Sequence, residues 1–241
     1  MVKQPSAIVL GATSGIGREL ADMLATRGYR VGITGRRGNI LRDMLKSHPD
    51  RYLAQIMDVA DTRDCERALH KLWNQFSEVD LVIVCAGTGD LNPNLDLGIE
   101  QEAIRTNVTG FTCVADWVFR AFEQQGHGHL VAITSIAALR GNRQAPAYNA
   151  SKAYQANYLE GLQQKAMNAR LNIQITDIRP GFVDTAMAKG EGKFWVMPAR
   201  KVAQQIFQAI KSQKRVAYVT KRWWFIGVLM KVLPKFVYLR L

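Results

Sequence analysis

A short apolar run that leads directly into clustered glycines most constrains how this chain can fold. Residues 7–10 read AIVL, and the next ten residues read GATSGIGREL. When a buried strand passes through such a turn into a helix, backbone N–H groups and the helix N-terminus can face a pyrophosphate without interference from Cβ atoms. The glycine spacing is G-x3-G-x-G rather than G-x-G-x-x-G, so a purely structural turn is the alternative interpretation. The position after the first strand favours a nucleotide cradle.

Strand and helix patterns alternate along the rest of the sequence. Short apolar, β-branched runs predict seven strands, at 7–10, 30–34, 52–57, 81–85, 129–134, 173–178 and 215–219. Segments with helical periodicity lie between them, and examples begin near Ile16, Thr62 and Arg200. We therefore predict an α/β fold, a single Rossmann-like doubly wound parallel sheet of about seven strands with helices on both faces. Residues 1–220 are assigned to this domain, and residues 221–241 to a C-terminal segment that is not a separate domain.

Charge is distributed unevenly, and this argues against nucleic acid as a partner. The net charge is +12, but all 20 acidic residues lie at or before Glu191, and 11 of the 32 basic residues follow it. The body of the protein is therefore nearly neutral and the C-terminal part is basic. Aromatic residues in that part form one apolar block, whereas single-strand binding interleaves aromatic and basic groups. No nucleic acid partner is expected.

The cysteines and the N-terminal sequence bear on location. Cys65, Cys85 and Cys113 form no short-spaced pair, so we predict neither a metal site nor disulfides and expect a reducing, cytoplasmic location. Glycine and polar residues interrupt the first apolar run after Leu10, so no signal peptide is expected.

Two arginines at the end of the second strand indicate which dinucleotide is preferred. Arg36 and Arg37 follow the glycines by about 20 residues, where an acidic residue would otherwise hold the ribose 2′-hydroxyl of NAD. A guanidinium at this place can pair with a 2′-phosphate. The sequence therefore favours NADP(H) over NAD(H), against the alternative that both arginines are solvated surface residues.

From Ile8 to about Tyr218, the chain resembles the short-chain dehydrogenase/reductase family. The resemblance is carried by seven ordered motifs: GATSGIG at 11–17, DV at 58–59, CAG at 85–87, RTNVTG around Asn107, ITSIAA around Ser135, YNASK at 148–152 and RPGFVDT at 179–185. Two positions depart from the family pattern. Leu10 stands where threonine is usual, and Cys85 stands where asparagine usually tethers the strand end, which bears on local stability more than on chemistry.

The YNASK motif suggests an acid–base pair. Tyr148 and Lys152 are four residues apart, so on a helix they share one face, and an ammonium near a phenol should lower the pKa of that phenol. The resemblance implies that Tyr148 is the acid, that Lys152 also holds the nicotinamide ribose, that Ser135 binds the substrate oxygen and that Asn107 holds a water connected to Lys152. It also implies, together with the arginines, a set of cofactor-binding residues: Gly11, Thr13, Ser14, Gly15, Ile16, Gly17, Arg36, Arg37, Asp58, Val59, Ala86, Gly87, Tyr148, Lys152, Pro180, Gly181, Val183 and Thr185.

The resemblance implies an NADP(H)-dependent oxidoreductase that interconverts a ketone and a secondary alcohol, and we expect its substrate to be hydrophobic or lipid-like. One alternative is a 3-oxoacyl thioester reductase of fatty-acid synthesis, in which Arg140 or Arg143 would meet an acidic carrier. An alternative of another class is a non-catalytic NADP-binding sensor or scaffold at a membrane surface. The resemblance also implies a homodimer or homotetramer formed through the helices that carry Asn107 and Tyr148.

Three segments are expected to border the substrate: 88–94, 136–147 and 182–197. The last resembles the mobile lid of the family, and its apolar residues from Phe194 to Met197 either favour an apolar substrate or simply pack the lid. After the seventh strand, the uncharged stretch from Trp223 to Met230 is too short to span a bilayer. The aromatic residues of the C-terminal segment either contact a membrane surface peripherally or cover a subunit interface or the protein's own core.

Overall fold

A parallel sheet forms the centre of the protein, as the strand pattern predicted. The computed structural model describes residues 4–187 and 194–240. Within them, seven parallel strands form one sheet in the order β3-β2-β1-β4-β5-β6-β9. These strands are β1 (Ser6–Leu10), β2 (Arg30–Gly35), β3 (Tyr52–Ile56), β4 (Leu81–Val84), β5 (His127–Ile133), β6 (Asn172–Pro180) and β9 (Val216–Val219). Two short strands, β7 (Val183–Asp184) and β8 (Met197–Pro198), pair with each other outside this sheet.

The helices connect the strands and cover both faces of the sheet. They are α1 (Gly15–Thr26), α2 (Gly38–Ser47), α3 (Thr62–Trp73), α4 (Leu97–Ile104), α5 (Phe111–Gln125), α6 (Pro146–Asn168), α7 (Ala199–Lys211), α8 (Lys221–Val232) and α9 (Lys235–Tyr238). A π-helical turn at Arg105–Gly110 joins α4 to α5, and a 3₁₀ turn at Ile136–Leu139 follows β5.

Local sequence explains where several helices begin. The carboxylate of Asp61 accepts a hydrogen bond from the backbone N–H of Asp64 and so caps α3. The carboxylate of Asp96 caps α4 in the same way. Pro146 occupies the first turn of α6, where the missing N–H of proline costs no helical hydrogen bond.

The central strands are buried on both faces, which is why they read as continuous apolar runs. In β1, Ala7 and Val9 point into one core, which is shared with α1, α2 and α7. Ile8 and Leu10 point into a second core, which is shared with α3, α5 and α6. The two cores make the sheet the middle layer of three.

The strand order fixes where a ligand should bind. The chain moves outward from β1 to β3 on one side, then returns to place β4 on the other side of β1. Connections therefore diverge between β1 and β4, and open α/β sheets bind ligands at the carboxyl ends of the strands at such a point. The glycine-rich turn after β1 and the CAG motif after β4 lie at this edge.

The C-terminal segment folds back onto the domain. Helix α8 contacts β9 and the 3₁₀ turn, and an added Cβ at Gly227 would lie 2.9 Å from the ring of Tyr218 and 3.2 Å from Leu139. The Arg140 guanidinium donates hydrogen bonds to the carbonyls of Met230 and Leu233, at 2.7 Å each, at the end of α8. Across residues 4–187 and 194–240, no helix is long and apolar enough to cross a bilayer.

Candidate active site

The glycine-rich turn is shaped so that side chains are excluded from it. Gly11 has φ +83°, and a Cβ there would lie 2.7 Å from the backbone nitrogen of Ala86. A Cβ on Gly17 would lie 2.3 Å from the carbonyl oxygen of Gly11. Gly15 has φ +54° and lies beneath the Thr185 methyl group, 3.0 Å from where its Cβ would be. The turn therefore offers bare backbone at the start of α1, which is the surface that a pyrophosphate needs.

The two arginines lie beside this turn, and Arg37 reaches across it. Its guanidinium donates hydrogen bonds to the hydroxyls of Thr13 at 2.8 Å and Ser14 at 2.7 Å. Arg36 is more exposed, with a terminal nitrogen 4.0 Å from the Asp58 carboxylate. The Arg37 guanidinium and two hydroxyls thus lie together, with the exposed Arg36 adjacent in the chain, and such donors fit a 2′-phosphate.

Other predicted cofactor residues occupy the same edge of the sheet with different local roles. The Asp58 carboxylate accepts a hydrogen bond from the Ala60 N–H at 3.0 Å and so stabilises the turn after β3. Val59 is buried, and its carbonyl oxygen is close enough to Gly110 that a Cβ there would lie 2.3 Å away. Ile16 packs against the core beneath α1.

The serine and tyrosine predicted to act on the substrate come together. Ser135 follows β5, and its hydroxyl accepts a hydrogen bond from the Ala137 N–H at 3.0 Å, which fixes its orientation. Tyr148 lies in the first turn of α6, and its side chain is hydrogen-bonded to that of Ser135. Gly89 packs so closely on the Tyr148 ring that a Cβ there would lie 2.5 Å from it. The phenol is therefore held between the loop after β4 and the end of β5.

Lys152 lies one turn further along α6 and is almost fully buried. Its ammonium donates hydrogen bonds to the carbonyl of Ile133 at 3.1 Å and to the side-chain oxygen of Gln155 at 3.0 Å. Burial lowers the pKa of Lys152 to about 8, and the carboxylate of Asp177 opposes part of that shift. The ammonium nitrogen is 5.9 Å from the centre of the Tyr148 ring.

The phenol does not show the lowered pKa that the sequence led us to expect. Burial raises the pKa of Tyr148 above its usual value, and the hydrogen bond with Ser135 opposes part of the rise. The reason is geometric, because the Lys152 ammonium is directed at Ile133 and Gln155. A phenol with a raised pKa stays protonated at neutral pH, which is the form that can donate a proton.

Asn107 lies in the π-helical turn and is completely buried. Its side-chain amide donates to the Thr88 carbonyl at 2.7 Å and to the Ser151 hydroxyl at 3.0 Å, and it accepts from the Thr88 N–H at 2.9 Å. Its backbone carbonyl accepts a hydrogen bond from the Gln155 amide at 2.9 Å. Through Gln155, the backbone carbonyl of Asn107 is thus connected to the Lys152 ammonium.

The RPGFVDT motif forms another wall of the candidate active site. Pro180 is the last residue of β6, and the Gly181 N–H donates to the Val219 carbonyl at 3.0 Å. Val183 is buried in the core. The indole of Trp223 lies directly on Gly181, where a Cβ would be 1.9 Å from it. Helix α8 therefore supplies part of the wall beside Gly181.

Of the predicted lid, residues 188–193 lie outside the described residues. Its flanks, with α8, form an aromatic cluster that consists of Phe182, Phe194, Trp195 and Trp223. Trp223 lies 5.5 Å from Phe182 and 5.2 Å from Phe194, measured between ring centres. Trp223 is buried, and its indole N–H has no hydrogen-bond partner among the described residues.

Segment 136–147 is held in place by two side chains. The Asn149 amide donates to the carbonyls of Ala137 at 3.1 Å and Arg140 at 2.8 Å. The guanidinium of Arg140 is engaged at the end of α8, which leaves fewer of its donors for an acidic carrier. Arg143, in contrast, is exposed.

Sequence reasoning missed Gln155 and Trp223, and it placed Gly89 only within segment 88–94, without a contact to Tyr148. Gln155 is one helical turn from Lys152, so its spacing alone could have indicated a contact. Gly89 and Trp223 reach the site through tertiary packing, and no sequence spacing relates them to Tyr148 or Gly181.

Comparison with known proteins agrees with this geometry. The short chain dehydrogenase family matches residues 5–194. An uncharacterized oxidoreductase from Myxococcus xanthus is 33% identical over 187 residues, which cover 76% of this chain and 73% of that protein. The 3-oxoacyl-[acyl-carrier-protein] reductase FabG of Escherichia coli is 28% identical over 89% of this chain and 92% of its own length.

The fold agreement extends to solved structures. A variant of actinorhodin polyketide ketoreductase, crystallised with NADPH, superimposes with a TM-score of 0.79 at 25% identity, covering 91% of this chain and 97% of that chain. The agreement therefore extends over the fold as well as the ordered motifs, and this chain is a member of the short-chain dehydrogenase family of oxidoreductases that act on CH–OH groups.

Proposed function

We propose that the protein is an NADPH-dependent reductase of apolar ketones, which in reverse oxidises the corresponding secondary alcohols. The proposal rests on one observation: Ser135, Tyr148 and Lys152 lie together beside a bare backbone turn at one edge of the sheet. The aromatic cluster beside Gly181 supports an apolar substrate, because it borders the same edge.

Each side chain has a role in this reaction. The nicotinamide supplies a hydride to the carbonyl carbon when the cofactor is bound. Negative charge then develops on the carbonyl oxygen, and the Ser135 hydroxyl stabilises it by donating a hydrogen bond. Tyr148 gives its phenolic proton to that oxygen, so the product is a neutral alcohol. The Lys152 ammonium stabilises the phenolate that remains.

The preference for NADPH is inferred from the arginines. Arg37 already lies against Ser14, and Arg36 is exposed beside it, so both can contact a 2′-phosphate. A neutral ribose hydroxyl would gain much less from two guanidinium groups. The cofactor residues would then be those named from the sequence, with the pyrophosphate at Gly11, Gly15 and Gly17.

Titration with NADPH and NADH, followed by fluorescence, tests the proposal. Wild-type protein should bind NADPH at least about tenfold more tightly than NADH, and the double variant Arg36→Ala/Arg37→Ala should lose that difference. The variant Arg42→Ala, which removes an exposed arginine from α2, is the matched control. Equal affinity for both cofactors in the wild type would contradict the NADPH preference.

A screen of ketones with NADPH then tests the reaction. Tyr148→Phe should bind NADPH as the wild type does and lose about a thousandfold or more in turnover, because the proton donor is gone. If Tyr148→Phe left the cellular function intact while loss of both arginines abolished it, the protein would be an NADP-binding sensor rather than an enzyme.

The relationship to FabG supports a second candidate, reduction of a 3-oxoacyl thioester on an acidic carrier. Arg143 is the exposed arginine of segment 136–147 that remains for such a contact. Arg143→Ala should then slow reduction of carrier-bound substrate but not of the same acyl group on a small thiol. Equal rates on free and carrier-bound ketones would favour the first candidate.

For assembly, we propose a homodimer through α5 and α6. The Thr112 and Tyr154 hydroxyls, one from each helix, are 2.7 Å apart, and Tyr154 stacks on Tyr158 with ring centres 5.8 Å apart. Tyr154 is partly exposed, so these two helices present an aromatic outer surface that a second copy can cover. We also propose a cytoplasmic location, which the lack of any short-spaced cysteine pair in the sequence supports.

A further inference from the structure

We infer that the outward side of α8 and α9 is a docking face for an anionic lipid bilayer, and that docking brings the substrate entrance to the bilayer surface. The second half of this inference rests on the proposed function, because it concerns how an apolar ketone reaches the site. The first half stands on the shape and charge of the C-terminal segment alone.

Helix α8 is unusual because it is apolar on two opposite sides. At 3.6 residues per turn, Trp223 and Gly227 share one side of the helix, and both are buried against the domain. Phe225, Leu229 and Val232 share the other side, where they are 67%, 54% and 70% exposed. The inward side is thus occupied by the protein itself, and the outward side is apolar without being covered.

The exposed side continues into α9. Phe236 is 67% exposed and Leu239 is 71% exposed. We define the docking face as the exposed apolar residues of α8, of α9 and of the residue after α9: Trp224, Phe225, Val228, Leu229, Val232, Phe236 and Leu239. An apolar face of this kind is costly in water, since large side chains usually bury at least part of their surface.

Basic residues surround the docking face, and their charge favours an anionic partner. Arg222 and Lys231 lie at the two borders between the inward and outward sides of α8. Lys235 begins α9 and Arg240 follows its end. No acidic residue follows Glu191 in the sequence. A symmetric contact between two copies would therefore bring cations against cations with no carboxylate in the segment to neutralise them. Anionic headgroups neutralise them, and acyl chains accept the apolar side chains between them.

The docking face lies next to the aromatic cluster of the candidate active site. Trp223, which covers Gly181, directly precedes Trp224 in the chain. The Arg222 guanidinium lies 5.7 Å from the ring centre of Trp195. The exposed rings of Phe182, Phe194 and Trp195 therefore adjoin the docking face, and an apolar compound dissolved in the bilayer meets them before it meets water.

Co-sedimentation with vesicles tests the docking face. Wild-type protein should pellet with vesicles of phosphatidylcholine and phosphatidylglycerol and should pellet at least about tenfold less with phosphatidylcholine alone, because several basic residues contribute. Leu229→Glu should lose most of the binding. Met167→Glu on α6 is the matched control, because Met167 is 55% exposed and far along the chain from the docking face. NADPH binding, measured for all three proteins, shows that each is folded.

Three results would overturn the docking face. These are failure of the wild type to pellet, equal pelleting of Leu229→Glu and the wild type, and equal pelleting on neutral and anionic vesicles. If Leu229→Glu instead reduced the mass of the protein in lipid-free solution, the face would belong to a second copy and the inference would be wrong.

The substrate route has its own measurement. NADPH oxidation should be slower for Leu229→Glu than for the wild type when a long-chain ketone is dissolved in anionic vesicles, and equal for both when a short, water-soluble ketone is used. Equal rates in vesicles would overturn the route. Because pelleting requires no turnover, binding to vesicles without reduction of any ketone would refute the reductase and leave the docking face standing.

Discussion

Gln155 is the residue whose role the structure most clearly adds to the chemistry. It is buried, and its amide joins the Lys152 ammonium to the backbone carbonyl of Asn107. We interpret Gln155 as a positioning residue that keeps the ammonium directed into the site.

Gln155→Leu tests this role. We predict a fall in turnover of about ten- to a hundredfold with little change in the KM for the ketone, since a hydrogen bond to a charged group contributes about 1.5–3 kcal/mol. The pH profile should also move to lower pH, because the ammonium loses an acceptor, and Gln155→Glu should move it the other way. Gln163→Leu is the control, because Gln163 lies on the same helix and donates to the carbonyls of Ile175 and Arg215. A loss of stability without any movement of the profile would indicate a structural role.

A second prediction concerns how ketone reduction depends on pH, and it rests on Lys152. Its pKa is lowered to about 8 in the folded protein, so the fraction carrying the ammonium falls as pH rises through that value. We predict that kcat/KM for ketone reduction falls above this pH by about tenfold per pH unit. The residual activity of Lys152→Arg should not fall with pH in this range, because a guanidinium stays charged. An unchanged fall in Lys152→Arg would assign it to another group.

The lowered pKa of Lys152 also makes the stability of the protein depend on pH. Lys152 binds its proton less tightly in the folded than in the unfolded protein, so from about pH 8 to about pH 10.4 the unfolded state holds more protons. The contribution of Lys152 to the free energy of unfolding therefore increases with pH over this range. Denaturant unfolding of the wild type and Lys152→Met at pH 8 and pH 10 measures this contribution, which the variant should lack.

At the scale of elements, hydrogen bonds to the loop after β5 help to attach the C-terminal helices. Arg140 donates to carbonyls at the end of α8, and the Tyr238 hydroxyl donates to the Gly141 carbonyl. We predict that Arg140→Ala accelerates proteolysis within residues 221–240 by several-fold, since about 1–3 kcal/mol accompanies loss of such contacts. Arg143→Ala, in the same loop, should be cleaved at the same rate as the wild type. Equal cleavage of Arg140→Ala and wild type would contradict this prediction and show that the remaining contacts of α8 and α9 suffice to hold the segment.

Sequence patterns predicted the strands well and the C-terminal helices poorly, for a physical reason. Each strand of the sheet is buried on both faces, so its apolar run is continuous and readable. Helix α8 is apolar on opposite sides, so its sequence carries no clear helical stripe from which an inward side could be chosen. The seven ordered motifs likewise predicted a shared site for Ser135, Tyr148 and Lys152, whereas the placing of Trp223 on Gly181 depends on residues far apart in the chain.

At the scale of the whole molecule, we predict that two copies associate through α5 and α6. Ala153 and Gly161 lie on the exposed side of α6, where small side chains allow close approach of a second helix. We predict that the wild type has the mass of a dimer or a tetramer by light scattering, and that Ala153→Glu/Gly161→Glu is smaller. Met167→Glu, near the end of the same helix, should keep the wild-type mass. A monomeric wild type would contradict the prediction.

The packing of Trp223 on Gly181 has a consequence for how the protein is made. Gly181 leaves the ribosome well before Trp223, and the strand that pairs beside it, β9, is also synthesised later. The glycine-rich turn is therefore synthesised long before Trp223, which completes the wall beside Gly181. Since domains tend to fold as units during synthesis, the nascent chain should acquire cofactor affinity late and abruptly rather than gradually. A premature stop codon ahead of Trp223 would then produce a chain with the motifs of an oxidoreductase but an open, unfinished site.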